Sequence, residues 1–234
     1  MLFADLEDCL NAFIKRTETL KFPNDYTRDW SWVYCYKFFY DNRQNDFNNE
    51  EFLELAALHL TAYLSSWGMY RGSSFLLKYS DYTIYKELIK LLFQKYSKDL
   101  YCDIPQWCVL KNVENEIDTY FKEVRNNHIV NDSNKRVSKT SIILTTKIML
   151  GMFGCFISLD RFVKKSLSVM NLSQTFNQPL YNKLKDIINE NLPLINKKQK
   201  DYEKIYGVEF PKFKIMDMAL WQKGYDIENF PTSK

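Results

Sequence analysis

Phe3, Leu6, Leu10, Phe13 and Ile14 fall three or four residues apart, the spacing that lines one face of an α-helix. The same step returns along most of the chain. Phe52, Leu55, Ala56, His59, Leu60, Tyr63, Leu64 and Trp67 make a second stripe. It follows an Asn-rich stretch at 45–49, and Glu50, Glu51 and Glu54 suit the positive end of its helix dipole. Ile84, Leu88, Leu91 and Leu92 predict a helix opened by Asp81 or Thr83. Val113, Ile117, Tyr120, Phe121 and Val124 predict another near 110–126. Residues 30–40 (WSWVYCYKFFY) are aromatic at nearly every position; they fit a helix or a strand and are read as a helix.

Polar or Gly/Pro-bearing stretches separate these stripes. They are a linker at 21–29 with Pro23, a break at 68–74 (GMYRGSS), a loop at 101–107 with Pro105, and a polar loop at 126–138. An apolar helix follows over 139–152, then a Gly-containing turn and a helix over 159–169. Residues 180–206 read as a helical pair broken at Pro193 and closed by Gly207. A last helix after Pro211 turns Ile215, Met218, Ala219 and Trp221 inward. The pattern predicts an all-α fold, an irregular multi-helix globular domain over 1–234, with two subdomains divided near 126–138 as the alternative. Only six Gly and six Pro in 234 residues fit long regular elements.

The apolar segment 141–159 (SIILTTKIMLGMFGCFISL) is long enough to cross a bilayer. Lys147 inside it and the breaks offered by Gly151, Gly154 and Ser158 favour a buried core helix and a tight connection instead. No membrane partner is expected. The acidic start MLFADLED lacks the charge of a secretory leader, so a cytoplasmic protein is expected. Five unevenly spaced cysteines and two histidines give no zinc pattern, and neither a metal nor a cofactor is expected. Phosphate-loop, dinucleotide, nucleophile-elbow and HExxH signatures are all missing. Arg125 and His128 lie closer together than the Arg–His pair of helical ribonucleases.

Charge is uneven. Residues 1–130 hold 15 Lys and Arg against 19 Asp and Glu, and residues 131–234 hold 17 against 10. A basic C-terminal half is compatible with an anionic ligand or nucleic acid as partner, but no Lys/Arg run reaches the length of a dedicated basic tract, which favours two halves of opposite sign that pack together or lie solvated.

Three blocks carry the ionisable groups that chemistry would use. In the first (59–74), His59, Tyr63 and Trp67 recur at four-residue steps, with Arg71, Ser73 and Ser74 beyond them; together they suit a phosphate or carboxylate. In the second (147–161), Lys147 in an oily helix needs an acid, and Asp160 is the nearest; Gly151 and Gly154 clear one side of that helix, and Arg161 adds charge. In the third, Asp217 and Trp221 share a helix face, and Asp217 calls for a cation such as Lys147 or Arg71. Packing, capping and solvation account for the same residue types in every block.

The three blocks together (WGMYRGSSFLL, TKIMLGMFGC with LDRF, FPKFKIMDMALWQ) resemble those of an all-helical bacterial family without assigned activity. The second block alone, through Gly154 and Asp160, resembles the helix-hairpin-helix DNA glycosylases, although the Leu-Pro-Gly-x-Gly hairpin of that family is replaced by GMFGCF. That resemblance implies a catalytic role for Asp160 and a grip on DNA phosphate. Two functions follow as expectations. One is a binding or regulatory protein whose His59, Trp67, Arg71, Ser73, Lys147, Arg161, Asp217 and Trp221 hold an anionic ligand or partner. The other is a nucleic-acid-acting enzyme of glycosylase type.

Overall fold

A computed structural model describes residues 3–19, 28–72, 74–128 and 139–230, and the stripes fold as helices. They are α1 (Leu6–Thr19), α2 (Arg28–Asp41), α3 (Glu50–Ser66), α4 (Phe75–Tyr79), a 3₁₀ turn (Tyr82–Tyr85), α5 (Lys86–Leu100) and α6 (Trp107–His128). The second half adds α7 (Ile142–Phe153), α8 (Arg161–Val169), α9 (Gln178–Glu190), α10 (Leu192–Tyr206) and α11 (Lys212–Asn229). Among the described residues there is no strand, and the fold is all-α.

Local chemistry sets the ends. Asn49 opens α3 by accepting the Phe52 N–H, and Asn177 opens α9 by accepting that of Leu180. Asp81 caps a 3₁₀ turn rather than an α-helix; its Oδ1 accepts the Thr83 N–H at 2.8 Å, and α5 begins only at Lys86. The break between α9 and α10 falls at Asn191, and Pro193 sits in the first turn of α10, where a missing N–H costs nothing. Gly154 (φ 61°) and Gly207 (φ 68°) close α7 and α10 in the left-handed region. Gly154 is therefore a helix cap, and it also clears room for Pro211, whose ring would lie 2.4 Å from a Cβ there. Gly151 itself abuts the Tyr63 ring.

Two helices are buried nearly all round, the signature of central elements. In α7 every residue from Leu144 to Phe153 is buried, and α2, α3 and α6 pack around it. In α11 the run from Lys212 to Gln222 is buried, with α8 and α1 as its main neighbours. Gly224 lets α8 come close, since a Cβ there would stand 1.9 Å from the Phe162 carbonyl oxygen. Buried apolar residues from Phe3 to Trp221 form one cluster that spans both sides of the polar stretch near 126–138. Among the described residues no helix is long and apolar enough to cross a membrane.

The chain between α7 and α8 decides where the ionisable groups meet. Residues 154–159 are all buried, so their backbone N–H groups need partners inside the protein. Thr146 Oγ1 on α7 accepts the Leu159 N–H at 3.0 Å, and Asp217 Oδ1 on α11 accepts the Ser158 N–H at 2.8 Å. Two side chains thus fix the connection and deliver Asp160 to the start of α8.

Candidate functional site

Asp160 caps α8: its Oδ1 accepts the N–H groups of Phe162 and Val163, both at 3.1 Å. Its Oδ2 lies 3.5 Å from Lys147 Nζ on α7, so this lysine finds the acid the sequence predicts for it. Lys147 is only 2% exposed, and its ammonium also sits 4.8 Å from the centre of the Trp67 ring. Burial lowers the Lys147 pKa, and Asp160 and Asp217 offset part of that fall.

A second pair lies alongside. Asp217 Oδ2 is 3.3 Å from Lys214 Nζ, one turn earlier on α11, and both side chains are buried. The cation paired directly with Asp217 is therefore Lys214, while Lys147 acts on it as a second, weaker cation. A partner three residues away on the same helix is reached without crossing the core. Burial raises the Asp217 carboxyl, opposed mainly by Lys214. Lys214 Nζ also stands 4.6 Å from the centre of the Trp32 ring. Ser158 and Tyr63 complete this wall, and the buried Ser158 Oγ has no hydrogen-bond partner among the described residues.

This cluster adjoins, through Lys147 and Asp160, an open cavity of about 320 Å³. Trp67, Arg71, Lys147, Asp160, Arg161 and Trp221 all line it, with Phe162 beside them. The inner pocket adjoining it is lined by Trp67, Lys147, Asp160, Lys214, Asp217 and Trp221. Three cations against one acid line the outer cavity, so its field favours an anion. Arg161 is largely exposed and lies 3.2 Å from Glu228, which lightens its charge. Aromatic faces supply the walls: Trp221 meets Phe162 edge-on at 4.9 Å and Trp67 edge-on at 6.4 Å between ring centres.

Of the residues singled out in sequence, His59 does not join. It stacks on Phe38 at 4.2 Å, half-buried, and burial lowers its pKa. Eight residues separate it from Trp67 on α3, about 12 Å along the axis and some 80° around it. Ser73 and the side chain of His128 lie outside the described residues. Arg125 is instead found over the Phe75 ring at 5.6 Å. Sequence reasoning missed Lys214, Ser158 and Thr146. Lys214 was legible as the cation one turn before Asp217, while the other two act only through a buried loop that no periodicity announces. Among the described residues no three His, Cys, Asp or Glu side chains gather as a metal site.

No family model, curated protein or solved structure matches the chain.

Proposed function

We propose that this protein binds a small anionic ligand in the cavity over Lys147, in a binding or regulatory role. The observation that carries this reading is the meeting of Arg71, Lys147 and Arg161, from three separate elements, on one aromatic-walled cavity. A phosphate or carboxylate would sit between the two arginines, whose planar forks suit such groups. Trp67, Phe162 and Trp221 offer ring faces and edges to a flat organic moiety attached to it. Lys147 and Asp160 form a neutral pair in its wall, so a neutral polar group of the ligand would face them.

The glycosylase-type alternative rests on Asp160 lining the same cavity with its Oδ2 directed at Lys147. Against it stands the duty of Oδ1, which holds two amides of α8. The test is calorimetric titration with inorganic phosphate, nucleoside monophosphates and aromatic carboxylates, repeated on Arg71→Ala. Saturable binding that Arg71→Ala weakens about tenfold supports the anion site. Binding to none of these probes, with cleavage of a DNA substrate lost in Asp160→Asn, would replace it by the enzyme reading.

A further inference from the structure

Where the last residue of α7 meets α2 and the end of α5, a different kind of site is built. Tyr36 and Tyr40 lie one turn apart on α2, and Tyr101 closes α5. Their ring centres stand 5.7 Å (Tyr36–Tyr40), 6.4 Å (Tyr36–Tyr101) and 5.8 Å (Tyr40–Tyr101) apart, with no two rings parallel. Phe153 adds a fourth ring, 5.2 Å from Tyr101. The four line a cavity of about 80 Å³, whose rim carries the exposed carboxylates of Asp103 and Glu209.

The rings are held from behind. Tyr101 donates its hydroxyl proton to the Met152 carbonyl at 2.7 Å, and Trp32 stacks on Tyr36 at 4.9 Å. Asp103 is neutralised by Lys212 at 2.6 Å. Glu209 has no ion-pair partner among the described residues. Arg43, which does not line the cavity, lies over Tyr40 at 4.0 Å, so a cation already uses one of these rings. Four aromatic rings around one small space, with a carboxylate at its mouth, offer a cation the negative potential of their π-systems and apolar surface to the methyl groups it bears. Gln199 and the tyrosine hydroxyls are the polar groups of the wall, too few to replace the full hydration shell of an ordinary ammonium or a metal ion. A methylated ammonium carries little hydration to lose. The volume excludes a large ligand, for which pockets run to about 300–1,000 Å³.

We infer that the Tyr36–Tyr40–Tyr101–Phe153 cavity is an aromatic cage for a methylated ammonium group, with Glu209 as its counter-charge. The group is carried either by a free small molecule or by a methylated lysine side chain. This site is separate from the anion cavity and stands whether or not that cavity binds a ligand.

The test is a titration, followed by calorimetry and by tyrosine ring proton shifts, with four probes. They are tetramethylammonium, choline, a short peptide bearing trimethyllysine, and the uncharged choline isostere 3,3-dimethylbutanol. The cage requires that a cationic probe bind at least about tenfold more tightly than the neutral isostere. Tighter choline points to a free small molecule, and tighter peptide to a modified protein. Tyr40→Leu should abolish the difference and Glu209→Gln should reduce it severalfold. Glu209 is exposed, so that variant reports even if Tyr40→Leu misfolds. Equal binding of the neutral isostere, absence of binding by all three cations, or a Glu209→Gln protein with undiminished cation preference would each overturn the assignment.

Discussion

The Asp217 carboxylate on α11 accepts the backbone N–H of Ser158, 59 residues earlier in the chain, at 2.8 Å. One oxygen of a buried acid thereby secures a buried loop, while the other faces the Lys214 ammonium at 3.3 Å. The structural role and the electrostatic role fall on the same residue. This makes the cluster sensitive to small changes.

Asp217→Asn keeps an oxygen for the Ser158 amide but leaves the buried Lys214 cation without its nearest counter-charge. Removing one partner of a buried pair costs about 3–5 kcal/mol, whereas removing both costs far less. Asp217→Asn should therefore lower the urea midpoint strongly, and adding Lys214→Met should recover part of the loss. Unfolding curves for the two single variants and the double variant supply the coupling energy. Strict additivity of the two changes would mean that the pair does not interact.

Asp160 separates capping from charge pairing. Asn caps a helix about as well as Asp, so Asp160→Asn should retain α8 and remove only the ion pair with Lys147. Asp160→Ala loses the cap as well, about a further 1 kcal/mol. In both variants the Lys147 pKa should fall below its already lowered value, because burial then acts with less opposition. Nitrogen or ε-proton NMR titration of Lys147 reads this directly. An unchanged titration would show that Asp160 is not its effective counter-charge.

The glycines test how tightly the helices meet. A Cβ at Gly224 would press on the Phe162 carbonyl oxygen at 1.9 Å, a backbone atom that yields only if α8 moves. At Gly151 the obstacle is the Tyr63 ring at 2.5 Å, a side chain with some freedom. Gly72 has φ 61° and no atom within 4 Å, so alanine there meets backbone strain alone. Loss of thermal stability should rank Gly224→Ala first, then Gly151→Ala, then Gly72→Ala, with the first two beyond the roughly 1–3 kcal/mol of ordinary overpacking or near it. A different order would show that α8 is freer than its packing suggests.

The sequence carried the helices and the charged residues further than it carried the site. Lys147 in an oily helix announces its need for an acid, and the nearest acid, Asp160, is the one it meets. The spacing of Trp67, Arg71 and Trp221 placed them on stripes, but a stripe does not say which neighbour it faces. His59 shows the limit: its helix step matched that of Trp67, yet eight residues of rise and drift carried it to Phe38. The buried connection at 154–159 was illegible because its partners, Thr146 and Asp217, are common residue types whose role exists only after the helices pack. The tyrosine cage shares that origin, since α2 is aromatic all round and only the fold chooses which rings converge.

Buried phenols and thiols set the alkaline limit of the fold. Burial raises Tyr36, Tyr63 and Tyr101 well above the ordinary tyrosine range, and neighbouring acids and phenols add to the rise. Tyr120 is pushed up to about 12, again chiefly by burial. Cys9 likewise rises to about 12 from 9.0, burial first and the Asp5 carboxylate second. The folded state therefore holds protons that the unfolded chain releases at about pH 9 for Cys9 and about pH 10 for the tyrosines. With more protons bound in the folded form, stability is complete below these values and falls as pH climbs toward 12. Each additional buried phenol steepens the slope. The expected result is one cooperative transition above about pH 10, in which phenolate absorbance near 295 nm and loss of far-UV helix signal coincide. Tyr63→Phe should move that transition to higher pH, since it removes one group that must ionise. Phenolate absorbance that rises gradually while the helix signal stays intact would show that these rings meet solvent in the folded protein.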